Sequence, residues 1–225
     1  MSKENNKFCL PIQKTSKAEV LKTISENQQN FAFFEVWLDC IKDLDLLFVD
    51  NLVKNLGSKL IVRFSRNQES LLPLQSKLEL ISKLENSPAL LDLDVRIESS
   101  EIEHINSNNL PIRKILSYHN FDETPELSDL QEIYLDMCQS DGEIYKFACY
   151  CNSKGDALRL LSFQLELANS GTKHIVLGMG EEGVITRIFG SLWGNELVFA
   201  PLAPKEASAP GQLSYAELSQ ILEKL

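Results

Sequence analysis

Short runs of nearly unbroken apolar residues recur along this chain, spaced so that one helix fits between each pair. They cover residues 8–12, 31–38 (FAFFEVWL), 59–64 (KLIVRF), 89–95 (ALLDLDV), 113–118 (RKILSY), 144–150 (IYKFACY), 174–178 and 196–200. Strands apolar on both faces belong to a parallel sheet covered by helices, whereas half-exposed antiparallel strands alternate. The stretches between them carry helical periodicity. They are 17–28, with Val20, Leu21 and Ile24 as apolar positions, then 44–55, 71–85, a short polar segment at 99–106, 126–139, 156–169, 181–189 and 215–225. In the segment 156–169, Ala157, Leu161, Leu165 and Ala168 are expected to share one face. Eight strand–helix units in 225 residues predict the α/β class and a single (β/α)8 barrel over residues 1–225, with an open doubly wound sheet as the alternative. No linker or composition shift divides the chain.

Charge narrows the function classes. The chain has 32 acidic against 22 basic residues, a formal charge of −10. Non-specific nucleic-acid binding needs a basic face, so nucleic acid is not an expected partner. An anionic ligand must instead be caught by a few local cations. No apolar run approaches the roughly 18 residues of a membrane span, and MSKENNKFCLPI lacks the apolar stretch of a signal peptide. The five cysteines, Cys9, Cys40, Cys138, Cys149 and Cys151, are odd in number and none has C-x-x-C spacing. They read as free thiols of a reducing cytoplasm. Cys149 and Cys151 would share a strand face as buried small hydrophobes. His104, His119 and His174 have no ligand-like spacing, so no structural metal is expected.

A barrel gathers its active site at the C-terminal ends of its strands. Polar residues at those ends are Glu35, Asp39, Arg63, Arg66, Asp92, Asp94, His119, Lys146 and, just beyond, Arg187. Lys146 stands in an apolar strand. Burial disfavours its ammonium form, and a neutral amine is the nucleophile for a Schiff base. The plainer reading pairs it with a buried carboxylate such as Asp94 or Glu35. His119, after the fifth strand, is either a proton shuttle or a hydrogen-bonded loop histidine. The barrel would set it beside Lys146. Gly178-Met179-Gly180-Glu181-Glu182-Gly183 has the G-x-G-x-x-G spacing of dinucleotide folds. Too little chain follows it, and two glutamates would repel a pyrophosphate, so a tight barrel loop is the better reading. Arg187 either pairs with Glu181 and Glu182 or turns to the pocket to bind a carboxylate. The segment 207–212 (ASAPGQ) is placed to offer a hydroxyl and an amide over the barrel mouth.

These segments, in order, resemble the type I 3-dehydroquinate dehydratases over nearly the whole chain. The resemblance rests on FFEVWLD, LLDLDV, KILSYHNFDETP, IYKFACYCNSKGDALRLL, GMGEEGVITRIFGSLWG and LVFAPLAPKEASAPGQ. It implies a (β/α)8 barrel, usually a homodimer, without metal or organic cofactor. Its substrate would be 3-dehydroquinate, dehydrated to 3-dehydroshikimate. By the same resemblance Lys146 would form the imine and His119 would be the catalytic histidine. Glu35 matches the carboxylate of an E-x-R-x-D strand and would orient His119 or a substrate hydroxyl. Arg187 would hold the substrate carboxylate. Ser208 and Gln212 match lid residues, and Met179 and Phe199 apolar walls. The family's arginine on the second strand is Trp37 here. Arg66 with Glu69 is the chosen equivalent of a further arginine–glutamate pair, with Arg63 as the other possibility. The competing expectations are an aldolase-like Schiff-base barrel and a non-catalytic barrel that binds a carboxylate ligand or partner.

Overall fold

A computed structural model describes residues 7–64 and 72–225. Eight parallel strands alternate with eight helices: β1 (Phe8–Ile12), α1 (Lys17–Asn27), β2 (Phe33–Trp37), α2 (Leu46–Leu56), β3 (Leu60–Arg63), α3 (Leu74–Ser82), β4 (Leu90–Asp94), α4 (Ser99–Ser107), β5 (Arg113–Asn120), α5 (Leu127–Cys138), β6 (Ile144–Tyr150), α6 (Lys154–Asn169), β7 (His174–Met179), α7 (Val184–Leu192), β8 (Val198–Phe199) and α8 (Tyr215–Leu222). Hydrogen bonding links them in the order β7-β6-β5-β4-β3-β2-β1-β8, every pairing parallel. This is the curled sheet of a (β/α)8 barrel.

The strands look apolar throughout because they serve two cores. Phe34, Val62, Leu91, Leu93, Leu116, Phe147, Cys149 and Cys151 face outward, under the helices. Cys9, Ile61, Leu90, Ile115, Ile144, Ala148, Ile175, Leu177, Met179, Leu197 and Phe199 fill the barrel interior. Alternation along each strand sends successive residues to opposite cores. Lys146 and Ala148 therefore point inward, between the outward Phe147 and Cys149.

Side-chain caps set several helix starts. Ser16 and Asp45 cap α1 and α2. Ser153 with Asp156, and Ser214 with Glu217, form reciprocal capping boxes at α6 and α8.

The structure departs from the sequence expectation in four elements. β2 begins at Phe33, although apolarity begins at Phe31. Phe31 is core without being ladder, packing its ring 4.9 Å from Tyr215 of α8. β8 shrinks to two residues. On α6 the buried stripe is Ala157, Leu160, Leu161, Phe163, Gln164 and Leu167, while Leu165 is 42% exposed. Steps of four residues turn 400°, so a strict i+4 series drifts about 40° per step off any one face. α7 starts at Val184, not Glu181. The residues before it form a tight turn in which a Cβ on Gly178 would collide with Gly183 Cα, and Gly180 has φ +79°. Thr186 closes that turn, accepting from Gly178 N–H at 2.6 Å and donating to the Gly183 carbonyl at 2.7 Å.

The seam between β7 and β8 is closed largely by one side chain. Glu196 N–H donates to the His174 carbonyl at 2.9 Å. Beside it, Asn195 Oδ1 accepts from Val176 N–H at 2.9 Å and Asn195 Nδ2 donates to the Val176 carbonyl at 3.0 Å. The Asn195 amide thus does for β7 what a strand backbone would do. A Cβ on Gly190 would strike it, which explains glycine there.

Candidate active site

At the C-terminal ends of the strands lies a cavity of about 290 Å³. Its titratable lining is Glu35, Arg63, His119, Lys146 and Arg187; Trp37, Met179, Phe199, Ser208 and Gln212 complete much of the rest. Eight of the nine sequence-predicted site residues therefore share one pocket. The ninth, Arg66, and its suggested partner Glu69 lie outside the described residues. Arg63, the other possibility, is on the cavity wall.

Lys146 is buried to 4% exposure at the centre of β6. Its Nζ donates to Asp92 Oδ2 at 2.7 Å and to Glu35 Oε1 at 3.4 Å, and stands 4.2 Å from the Phe199 ring centroid. The carboxylates beside it are thus Asp92 and Glu35, not Asp94. Both β4 aspartates point inward, but Asp94 is one step nearer the barrel mouth. At that height it meets His119, with Asp94 Oδ2 2.9 Å from His119 Nδ1. Asp92 sits lower and also accepts from Ser117 Oγ at 2.6 Å. On β5, Ser117 is level with Lys146 and His119 with Ala148. His119 therefore stands one inward position above the lysine, with a carboxylate to hold its ring, which is the orientation a proton shuttle needs.

Glu35 is held by neighbours other than His119. Its Oε2 accepts from Trp37 Nε1 at 2.9 Å, and its Oε1 lies 3.7 Å from Arg63 Nη1. Burial works against the Arg63 charge, yet Glu35 and Asp92 leave its pKa raised. Of the two roles expected of Glu35, orienting His119 falls to Asp94 here, which leaves the contact with a substrate hydroxyl.

Arg187 emerges from the first turns of α7 into the cavity and is buried. Among the described residues no carboxylate lies within ion-pair distance of it, so the pairing with Glu181 and Glu182 does not form. Its Nη2 donates to the Pro210 carbonyl at 3.3 Å, and its Nε has no partner. Burial pulls its pKa down to about 10, which still leaves it charged at neutral pH. A buried guanidinium with an unpartnered donor is an anion site. The loop 207–212 crosses above it. Ser208 N–H donates to Gln212 Oε1 at 2.7 Å, and Gln212 Nε2 to Ser208 Oγ at 3.1 Å. Gly180 N–H holds the same loop through the Pro210 carbonyl at 3.2 Å.

Sequence reasoning passed over Glu98, which is buried where α4 begins. One oxygen accepts from Asp94 N–H at 2.8 Å, and the other has no partner. Burial pushes its pKa up to about 7. The only cue in the sequence was a glutamate following a strand end, indistinguishable from a solvated one. Among the described residues, no group of three or more His, Cys, Asp or Glu side chains is disposed to hold a metal ion.

The sequence model of the family described as type I 3-dehydroquinase matches residues 8–225. The chain belongs to that family. It is 29% identical over 220 residues to the 3-dehydroquinate dehydratase of Methanococcus maripaludis strain C7, covering 96% of this chain and 98% of the relative. It is 30% identical over 225 residues to that of Methanocaldococcus jannaschii, covering 95% and 96%. Its fold matches the crystal structure of 3-dehydroquinate dehydratase from Geobacillus kaustophilus with a TM-score of 0.81, at 22% identity over 98% of this chain and 91% of the other. In this type I 3-dehydroquinase the second-strand position that resembles an arginine site is filled by Trp37, whose ring lies 4.3 Å from the Arg63 guanidinium.

Proposed function

We propose that this chain dehydrates 3-dehydroquinate to 3-dehydroshikimate in the shikimate pathway, through an imine on Lys146. The observation that carries the reading is the joint placement of Lys146, His119 and Arg187, which has no carboxylate partner among the described residues, around one cavity. Arg187 binds the substrate carboxylate. That leaves the ketone toward Lys146, whose amine attacks it after giving a proton to Asp92 or Glu35. Loss of water yields a cationic imine, which draws electron density from the adjacent carbon. His119, braced by Asp94, removes the proton on that carbon. It returns the proton to the departing hydroxyl, which leaves as water. Hydrolysis of the imine frees the product and restores Lys146. Each positioned proton transfer contributes roughly 10²–10⁴-fold. Ser208, Gln212 and Glu35 offer hydrogen bonds to substrate hydroxyls, and Met179 and Phe199 pack against the ring.

The reading extends to location and assembly. Free thiols at all five cysteines support a reducing cytoplasm, and no described helix is long and apolar enough to cross a membrane. A homodimer is supported by the exposed Ile185, Leu192 and Trp193 on and just after α7.

The test is borohydride reduction in the presence of 3-dehydroquinate, followed by peptide mass spectrometry. A stable adduct on Lys146 is expected, and Lys146→Ala should lose essentially all turnover. That variant leaves Asp92 and Glu35 without their ammonium, so its fold is checked by circular dichroism. Turnover surviving in a folded Lys146→Ala protein would overturn the imine.

A further inference from the structure

Trp37 stands where the resemblance places an arginine, and it sits between two charged groups. Trp37 and Arg63 are level with each other on the adjacent strands β2 and β3. The Arg63 guanidinium lies 4.3 Å from the indole centroid, within cation–π range. The indole N–H donates to Glu35 Oε2 at 2.9 Å. Both charged partners are buried, Glu35 to 1% and Arg63 to 4% exposure. An arginine at position 37 would place a second guanidinium against Arg63, and like charges at such range repel in a dry site. The indole meets both demands without that cost. Its edge gives Glu35 a donor, and its face gives Arg63 a surface.

We infer that Trp37 is a positioning residue for this site, fixing Glu35 through its N–H and Arg63 through its ring. The claim rests on the dehydratase reading above for its kinetic consequence, though not for its contacts. Among the described residues, Lys146, Arg63 and Trp37 are the polar partners of Glu35, and the first two share Oε1. Trp37 holds the other oxygen. Without that bond the carboxylate is free to rotate away from Lys146. Without the ring, the contacts left to Arg63 among the described residues are a long one from its Nε to the Phe64 carbonyl at 3.4 Å and its pairing with Glu35, beside the charges of Asp92, Glu98 and Asp94. The two functions therefore separate by substitution.

Trp37→Phe keeps a ring and removes the N–H. Its kcat should fall roughly tenfold, the scale of one hydrogen bond to a charged group, with KM within about twofold. Trp37→Leu removes both, and KM should then rise roughly tenfold as well, because Arg63 is no longer held against the cavity wall. The chain has two tryptophans, so Trp193→Phe leaves Trp37 as the sole indole fluorophore. In that background, Arg63→Ala and Glu35→Gln should each shift the Trp37 emission. Phe and Leu variants with kcat and KM both within twofold of the parent would overturn the inference, as would a Trp37 emission indifferent to both substitutions. If the parent itself fails to turn over 3-dehydroquinate, the dehydratase reading fails, and the emission shifts alone decide whether Trp37 holds its two partners.

Discussion

Glu98 shows how one buried side chain can write itself into the pH dependence of the whole protein. A carboxyl ordinarily titrates near 4.5, and burial holds this one near 7. Below pH 4.5 it is protonated in folded and unfolded chains alike, and its contribution to stability is complete. Between pH 4.5 and 7 the unfolded chain releases the proton while the folded chain keeps it, so stability falls as pH rises. Above 7 the loss levels off at roughly 3 kcal/mol. Glu98→Gln keeps an oxygen for Asp94 N–H and cannot ionise. Thermal unfolding from pH 5 to 8 should therefore show the parent losing stability relative to this variant. Parallel curves would refute the assignment. The comparison isolates Glu98 because His174, whose pKa burial lowers, acts in the opposite sense and is common to both proteins. Residues like Glu98 escape a sequence reading, whereas Lys146 and His119 do not. A lysine inside IYKFACY is anomalous on its face, and a histidine after KILSY is nearly so. Their carboxylate partners were not legible. Whether Asp92 or Asp94 meets the lysine depends on the stagger between β4, β5 and β6, and composition does not encode a register.

Among elements, the apolar runs marked where strands lie but not how far each ladder extends. β8 is the extreme case, with two residues of strand in an expected five. The reason is Asn195. Its amide satisfies Val176 on both sides, so the backbone of β8 need not run alongside β7. In the sequence that asparagine stands between a glycine and a glutamate and reads as an ordinary turn residue. Removing it should be costly, because a buried N–H and a buried carbonyl lose their partners together. Asn195→Ala is expected to destabilise the protein by about 2–4 kcal/mol in urea unfolding. Hydrogen exchange should locate the damage, with the Val176 amide losing protection while the Phe34 amide in β2 keeps its own. Uniform loss of protection, or a stability change under about 0.5 kcal/mol, would show that the seam is closed by packing instead. The α6 face was misjudged for a different reason. Leu158 and Leu165 are apolar yet exposed, at 63% and 42%, so hydrophobicity alone did not reveal the buried side.

At the level of the molecule, α7 is oriented with its chemistry inward. Thr186, Arg187 and Gly190 are its buried residues, serving the turn, the cavity and the Asn195 amide. Several apolar residues of the same segment are left on the outside, Ile185 at 44% exposure, Leu192 at 49% and Trp193 at 39%, with the Phe189 and Trp193 rings 4.9 Å apart, while Ile188 packs against the core. Most helices of a barrel spend their apolar face on the sheet. This one gives much of that face to Thr186, Arg187 and Gly190, so part of its apolar surface is available to a second surface. Exposed apolar side chains grouped on one helix in this way point to an interaction surface. A stable interface needs about 800 Å² from each partner, which two packed helices can supply. In the homodimer proposed above, this face would be the one covered. Leu192→Glu would place a carboxylate in its centre. The parent should then scatter light as a dimer at tens of micromolar protein, and the variant as a folded monomer. Because Arg187 lies on the same helix, the monomer should also bind substrate more weakly, its KM rising while kcat changes less. A monomeric parent would remove the homodimer, and an unaffected Leu192→Glu dimer would move the interface to another face.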